Sequence, residues 1–513
     1  FLNKRIVKKW LERKNTRGGE KMAGIGVRLN NLFQKNTLTT DLLGFFYSTV
    51  VTVAPMFVVI INLVLMEYFL DFSSLGYAER ELFSCTVLYT FIFSLLTSAP
   101  FNAVLSRYVS DVIYQERYQD ILPCYYLGMI FYVTLSCIFG IPFCLWEHFV
   151  GGVSVWYVFA GFWAYISLVF VFYAMIYLSI CKDYQRIAQY YGAGMLLAFF
   201  TSLFFRFKLH WGIPQSMLAA LDVGFFLTAV LENALIKRYF RENSNRYKLI
   251  LGYFRKYWKL VITNFFYILG MYVHNFVFWT NKEMNMIVVK SFVCNQPYDM
   301  ASCLAMFTNI SATIIFIARV EMYFHEKYKL YSDAVTGGRD ADIQNTKRRM
   351  FRQLSNELMT LARIQFIISV VIYLVCMVIL PSVGISSMTM KIYPSLAVGY
   401  FILFLMYSAI IFLYYFNDLA GAVWTSTIFL LVTLVGSILS MRLPVIWYGT
   451  GVIVGSFAGW TVAYLRLRWI EKHMDVHVFC VGDLIPRGKG KRPSGKVFDR
   501  RLGISEIQRK ENT

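Results

Sequence analysis

Residues 153–181 read VSVWYVFAGFWAYISLVFVFYAMIYLSIC and contain no Asp, Glu, Lys or Arg. A helix needs about 20 mostly apolar residues to cross the roughly 30 Å hydrocarbon core of a bilayer. The run is long enough for this and carries no charge that lipid would have to accommodate. It therefore predicts a membrane-spanning helix.

Similar apolar runs recur along the chain in both directions from this one. They are separated by short polar or basic segments, which is the pattern of a polytopic helical membrane protein. We expect an all-α fold with twelve transmembrane helices. The predicted spans are 43–70, 82–106, 123–146, 153–181, 187–205, 213–236, 258–280, 300–322, 359–381, 394–416, 420–441 and 444–466.

The composition supports this class. Of the 513 residues 58% are hydrophobic and 16% are charged, whereas a soluble domain carries about 25% charged residues. The net charge of +20 comes from residues between the apolar runs, without the aromatic-rich basic patches of a nucleic-acid-binding surface. No nucleic-acid partner is expected.

The basic residues also predict the topology. With twelve spans both termini lie on one side, and the large majority of the 50 Lys and Arg residues then fall in the segments on that side. Cytoplasmic segments of membrane proteins are enriched in Lys and Arg. We expect a multi-pass protein of the bacterial cytoplasmic membrane with both termini in the cytoplasm.

The loops divide the chain into two groups of six helices, as in transporters built from two related lobes. The predicted parts are an N-lobe at 22–240, a cytoplasmic interlobe loop at 241–257, a C-lobe at 258–466 and a basic cytoplasmic tail at 467–513. Residues 1–21 are predicted to be a non-native or disordered extension, because Arg17-Gly18-Gly19-Glu20-Lys21 before Met22 reads like a translated ribosome-binding stretch. The alternative is a genuine amphipathic extension.

Two further patterns concern packing. Within the cytoplasmic segment 323–358, apolar residues such as Met350, Phe351 and Leu354 recur at helical spacing, which predicts an amphipathic helix leading into the ninth span. A lipid-facing role is favoured over partner docking. Glycines at 451, 455 and 459 form a small-residue stripe that predicts close helix packing in the last span.

Several segments resemble the PelG family of exopolysaccharide transporters, a branch of the polysaccharide-flippase and MATE-like (MOP) superfamily. The resemblance spans Met22 to about Cys480. The matching segments are Met22-Ala-Gly-Ile-Gly, Cys181-Lys-Asp-Tyr184, Gly270-Met-Tyr-Val-His274, Phe278-Trp279, Pro297-Tyr-Asp299, Arg319-Val-Glu-Met-Tyr-Phe324, Leu413-Tyr-Tyr-Phe-Asn-Asp418 and Tyr448-Gly-Thr-Gly451.

This resemblance implies two six-helix lobes of the MATE or flippase type and no covalent chemistry or cofactor. It implies export of a Pel-like polymer of N-acetylgalactosamine and galactosamine across the cytoplasmic membrane. It also implies a cytoplasmic glycosyltransferase partner and other membrane subunits of a Pel-type synthase complex. His274 and Asn275 depart from the acidic-basic pair of the family pattern.

Polar groups inside the spans are the candidates for the substrate or ion path, because they are expensive to expose to lipid. Asp222 is the deepest acid and is predicted to bind a substrate cation or a driving ion, with a neutral, capped carboxyl as the alternative. Helix-to-helix hydrogen bonding is an equally good interpretation of the neutral members. The other path candidates are Asn62, Asn102, Asn264, His274, Asn275 and Asn309, and the predicted cytoplasmic gate or interface residues are Glu232, Arg319, Glu321 and Asp418.

Three other patterns are given less weight. Gly490-x4-Gly495-Lys496 lacks the Ser or Thr of a phosphate loop, and His473, His477 and Cys480 lack a fourth ligand for zinc, so no metal site is expected. Cys294 and Cys303 are expected to be free thiols rather than a disulfide.

The function that this sequence favours is exopolysaccharide export through a cavity between the lobes. A lipid-linked oligosaccharide flippase and a MATE-type cation or drug antiporter remain alternatives with the same spans. A non-transporting membrane scaffold of a synthase complex is a further alternative. A membrane glycosyltransferase or acyltransferase is disfavoured because no cluster of Asp, Glu or His marks a catalytic site.

Overall fold

The computed structural model describes residues 38–115, 117–181, 183–309, 316, 324–382 and 384–476. Fourteen α-helices lie in this part of the chain. They are α1 Leu38–Phe69, α2 Tyr77–Tyr114, α3 Ile121–Phe149, α4 Val155–Ile180, α5 Tyr184–Phe207, α6 Ile213–Tyr239, α7 Tyr247–Lys256, α8 Trp258–Trp279, α9 Gln296–Asn309, α10 His325–Gly337, α11 Asp340–Ser382, α12 Ser387–Tyr415, α13 Leu419–Ser440 and α14 Thr450–Val476.

Ten helical segments in the described part of the chain are long and apolar enough to cross a membrane. They match ten of the twelve predicted spans. The first predicted span coincides with α1, and α9 begins the eighth, whose remainder lies outside the described residues. The predicted fold class, an all-helical polytopic membrane protein, is confirmed.

Two hydrophobic cores correspond to two lobes. One is built by α1 to α6 and the other mainly by α8, α9 and α11 to α14. Within the C-lobe, α14 packs along α13 through the predicted glycine stripe. A Cβ atom at Gly455 would lie 2.8 Å from the backbone nitrogen of Thr433, and one at Gly451 would lie 2.7 Å from the carbonyl carbon of Gly436.

The interlobe segment 241–257 contains a helix as well as a loop. α7 lies against the N-lobe, where Phe254 contacts the rings of Phe101 and Phe131. The Tyr253 hydroxyl donates to Asp111 Oδ2 at 3.1 Å. Burial, followed by the negative charge of Asp111, raises the pKa of Tyr253 to about 12, so the phenol stays protonated and remains a donor.

The amphipathic segment also packs differently from the expectation. α11 runs without a break from Asp340 to Ser382, so the amphipathic part and the ninth span form one helix. Its apolar stripe does not face lipid. Met350, Phe351 and Leu354 are buried in the C-lobe core, and Phe351 stacks on Phe416 with ring centroids 5.4 Å apart.

One short hairpin connects α8 to α9. Its strands, β1 Met286–Val288 and β2 Phe292–Cys294, pair antiparallel with Val288 opposite Phe292. At the tip Val289 and Lys290 have φ of 52° and 65°. Positive φ is a strained conformation for a β-branched residue, and Val289 packs against the cores of both lobes. Contacts from both lobes therefore hold the tip in place.

The predicted glycine packing can be tested by thermal unfolding of the purified protein. We expect Gly455→Ala to lower the unfolding free energy by about 1–3 kcal/mol, the usual cost of overpacking, because the added methyl group meets backbone. Gly192→Ala is the matched control, since a Cβ at Gly192 in α5 has no atom within 4 Å. Equal melting temperatures for the two variants would contradict the close packing of α13 on α14.

Candidate functional site

Helix α2 forms the boundary between the lobes, because one of its faces packs along α8. Tyr89 stacks on Trp279 with ring centroids 4.9 Å apart and an angle of 11°. Further along the pair, Asn264 Nδ2 donates to the Ala99 carbonyl at 2.8 Å. Near the end of α2, the Arg107 guanidinium lies 4.5 Å from the centroid of the Tyr257 ring. We call this contact the α2–α8 seam.

The β-hairpin closes one end of this boundary. The Tyr89 hydroxyl donates to the Val293 carbonyl at 2.6 Å and accepts from the Val293 amide at 3.1 Å. The Ser291 hydroxyl donates to Glu147 Oε2 at the end of α3, also at 2.6 Å. A segment of the C-lobe is thus fastened to two helices of the N-lobe.

A cavity of about 400 Å³ lies beneath the hairpin. This volume falls within the roughly 300–1,000 Å³ typical of ligand pockets. Its walls come from α2, α3 and α4 of the N-lobe, and Phe265 of α8 and Phe292 of β2 complete it from the C-lobe. The lining is mostly apolar and aromatic, with a few polar groups among the rings. Its polar members are Thr86, Thr90, Thr97, Tyr89, Tyr157, Tyr165 and Glu147.

A proline and two pairs of hydroxyl groups lie in the wall of the cavity. Pro100 lines it and lacks the N–H that would bond the carbonyl one turn earlier, so a polar backbone group is released at this wall. The hydroxyls are held in pairs between helices. Tyr157 OH donates to Thr86 Oγ1 at 3.1 Å, and Thr97 Oγ1 lies 2.6 Å from Tyr165 OH.

Glu147 is the acid of this lining, and no Lys or Arg contributes to it. Its side chain is only 2% exposed. Oε2 is held by Ser291, whereas Oε1 has no hydrogen-bond partner among the described residues. A buried acceptor without a donor is costly. The atom itself is buried, so a cationic or hydrogen-bond-donating ligand would satisfy it only after the Glu147 side chain turns toward the cavity.

A second polar cluster lies in the C-lobe behind the hairpin. Asp299 accepts from Asn275 Nδ2 at 2.7 Å, from the Asn295 amide at 3.0 Å and from Trp279 Nε1 at 2.9 Å. His274 Nδ1 lies 2.9 Å from Tyr298 OH. The donors around Asp299 are all supplied by the protein, which makes this cluster a support for the hairpin and the seam.

The remaining predicted path residues are separated in the structure. Asn62 contacts Met66 and Met195 through sulfur, and Asn102 accepts from Tyr132. Asn309 links α9 to α12 and α11 through Ala397 and Ser369. Asn264 lies in the seam beside the cavity, and Asp222 accepts from Ser167 at 3.0 Å.

The predicted gate residues do not form one cluster among the described residues. Glu232 is fully buried in the N-lobe and neither of its carboxylate oxygens has a hydrogen-bond partner among the described residues. Asp418 caps α13 at the Gly421 amide and pairs with Arg466. Arg319 and Glu321 lie outside the described residues.

Residues 22–479 match the family model described as "PelG: Putative exopolysaccharide Exporter (EPS-E)". The chain belongs to the PelG family. Comparison with curated proteins finds no sequence match.

Solved structures similar to this PelG-family chain are MATE transporters. An outward-facing multidrug resistance MATE transporter of the MOP superfamily aligns with a TM-score of 0.57 and 13% identity, covering 89% of this chain and 99% of that one. A point mutant of a MATE transporter aligns with a TM-score of 0.55 and 13% identity, covering 89% of this chain and 100% of that one. A mutant of the Vibrio cholerae MATE transporter VcmN aligns with a TM-score of 0.57 and 13% identity, covering 83% of this chain and 96% of that one. The fold is therefore that of the MATE transporters.

Three features of the site are not predicted by the sequence analysis. Glu147 stands at the end of an apolar run without a basic neighbour, which was a usable signal. Asp299 belongs to a segment that carries the PelG resemblance but was not proposed as a site residue. Cys294 lies 2.7 Å from Cys85, a pair that the sequence analysis does not predict, and Cys85, Cys294 and Cys303 are free thiols.

The supporting role of Asp299 predicts a large stability effect. Asp299→Ala leaves the donors of Asn275, Trp279 and Asn295 unpaired in a buried place, at about 1–3 kcal/mol for each unsatisfied group. We expect a clear fall in the midpoint of thermal unfolding, measured by tryptophan fluorescence. Glu283→Ala, an exposed acid in the same connection, is the control. A melting temperature equal to that of the control would show that the cluster does not support the fold.

Proposed function

We propose that this protein exports a Pel-like polymer of N-acetylgalactosamine and galactosamine across the cytoplasmic membrane, through the cavity at the lobe boundary. Membership of the PelG family and the two-lobe transporter fold support a transport role. The observation that carries the substrate class is the lining, with its aromatic rings, paired hydroxyls and the unpartnered Glu147 Oε1.

The chemistry of the lining suits a partly cationic sugar. Aromatic faces pack on the apolar faces of sugar rings. The lining hydroxyls already bond to the protein, so they would take part mainly as acceptors through their remaining lone pairs. Glu147 Oε1, which is buried in the closed structure, would receive the ammonium group of a galactosamine unit once its side chain turns toward the cavity. A lining with an acid and no basic residue also disfavours an anionic glycan.

We place both termini and the basic loops in the cytoplasm, following the distribution of Lys and Arg. The hairpin then lies on the extracytoplasmic side and closes the cavity there. Transport requires alternating exposure, so the hairpin must leave α2 and α3 for the polymer to exit. The predicted lobes, 22–240 and 258–466, are the bodies that would move.

Other predicted polar residues enter this proposal with separate roles. Asn264 is proposed to hold the seam closed beside the cavity. Asp222 and Glu232, both on α6, are proposed to bind the driving ion. Arg319 and Glu321 remain predicted residues of a cytoplasmic gate or interface. Asp418 is buried against Arg466 and is proposed to hold the cytoplasmic end of α13. A cytoplasmic glycosyltransferase and other membrane subunits of a Pel-type complex are proposed to deliver the polymer.

A vesicle assay tests the proposal. The purified protein is placed in vesicles loaded with fluorescent galactosamine oligomers, and release is measured with an impermeant quencher. We expect Glu147→Gln to slow release about tenfold, because a hydrogen bond to a charged group is worth roughly 1.5–3 kcal/mol and 1.4 kcal/mol is tenfold. Gln keeps the contact with Ser291. Fully N-acetylated oligomers should be affected much less.

Glu79→Gln provides the matched control, since Glu79 is an exposed acid near the start of α2. It should leave release unchanged. An equal effect of Glu147→Gln on both kinds of oligomer would refute the charge recognition. Absence of release by the unaltered protein, even with its synthase present, would favour the scaffold alternative.

A further inference from the structure

Two thiols meet where the hairpin docks on the N-lobe. Cys85 is on α2 and Cys294 ends β2, and their sulfur atoms lie 2.7 Å apart. They are 209 positions apart in the sequence, and they come from opposite lobes. Both are free cysteines with 2% of their surface exposed.

Contacts between α2 and the hairpin hold the two cysteines next to each other. Tyr89, one helical turn after Cys85, forms two hydrogen bonds to the backbone of Val293, the residue before Cys294. Tyr77 OH donates to Met286 Sδ at 3.2 Å on the opposite strand, and Met286 pairs with Cys294. The two sulfurs are therefore aligned whenever the hairpin is docked and are parted whenever it leaves.

We propose that Cys85 and Cys294 form a reversible disulfide that locks the hairpin onto α2 and stops transport. A bond of about 2.05 Å requires the sulfurs to approach by well under an ångström. The link would join the two lobes covalently at the end of the seam. Its place on the extracytoplasmic side and its effect on export rest on the proposed function, whereas its formation does not.

The reaction is thiol–disulfide exchange with a small or protein disulfide as the oxidant. With the hairpin undocked, the thiolate of Cys294 attacks the donor disulfide, and one donor thiolate leaves. When the hairpin docks again, the thiolate of Cys85 attacks Cys294 sulfur, and the second donor thiolate leaves. The two protons lost by the cysteines are balanced by the two thiols formed from the donor, which takes up both electrons.

Burial of the two thiols determines in which state of the hairpin they can react. In the docked state neither thiol is accessible to a donor, so the reduced protein resists oxidation while closed. A protein that cycles between docked and undocked states exposes the pair repeatedly. Oxidation therefore captures the working transporter in its closed form. Reduction releases it slowly, because a thiol reductant reaches the buried bond only through local opening of the hairpin.

The test uses the full chain in vesicles, with oxidised glutathione as the donor. After oxidation, free thiols are blocked and peptides are mapped by mass spectrometry without reduction. We expect a linked peptide pair containing Cys85 and Cys294, and a several-fold loss of oligomer release that dithiothreitol restores. Cys85→Ser and Cys294→Ser should each abolish the link and make release insensitive to the oxidant.

Cys303→Ser is the matched control, because Cys303 lies on the neighbouring helix α9 and is not part of the pair. It should keep both the link and the inhibition. The absence of a Cys85–Cys294 peptide while glutathione modifies other cysteines would overturn the proposal. A complete link without any change in release would overturn the lock. If the reduced protein releases no oligomer but the link forms, transport fails and the disulfide stands.

Discussion

The α2–α8 seam is the contact on which the arrangement of the molecule depends. In lipid there is no hydrophobic force to press two apolar lobes together, because hydrocarbon solvates them as well as they solvate each other. Adhesion must come from specific contacts, here the Tyr89–Trp279 stack, the Asn264–Ala99 hydrogen bond and the docked hairpin. Aromatic packing such as that of Phe93 on Phe276 adds to them along the same boundary. They hold the lobes in register and still permit them to separate, which a carrier requires.

Buried polar groups in this protein fall into two kinds. Asp299 is surrounded by donors from Asn275, Trp279 and Asn295, and it supports the base of the hairpin. Glu147 keeps one carboxylate oxygen without a partner among the described residues, and that group lies in the wall of a cavity. A polar group that the fold leaves unsatisfied at a cost is a better indicator of a ligand than one that the fold satisfies. We therefore assign a structural role to Asp299 and ligand recognition to Glu147.

The sequence predicted the helical fold well because lipid imposes one strong rule, that a spanning segment satisfies its own backbone hydrogen bonds. The glycine stripe of α14 was predictable for a similar reason, since only small residues allow backbones to approach closely. The site was harder. Glu147, Tyr89 and Cys294 come together only through the hairpin, whose docking on α2 depends on tertiary contacts that periodicity does not encode. Amides such as Asn62 and Asn309 are predicted path residues, and in the structure they bridge helices. An asparagine side chain offers the same donor and acceptor in either role, so the residue type alone does not distinguish them.

Photo-crosslinking tests the central claim, that the polymer passes along the lobe boundary beneath the hairpin. A photoreactive phenylalanine analogue replaces Phe162 in the cavity wall or, for comparison, Phe204, which is 53% exposed on α5. During export of labelled galactosamine oligomers, illumination should attach the label at position 162 and not at 204. Labelling at 204 alone, or none at 162 while export continues, would contradict the account.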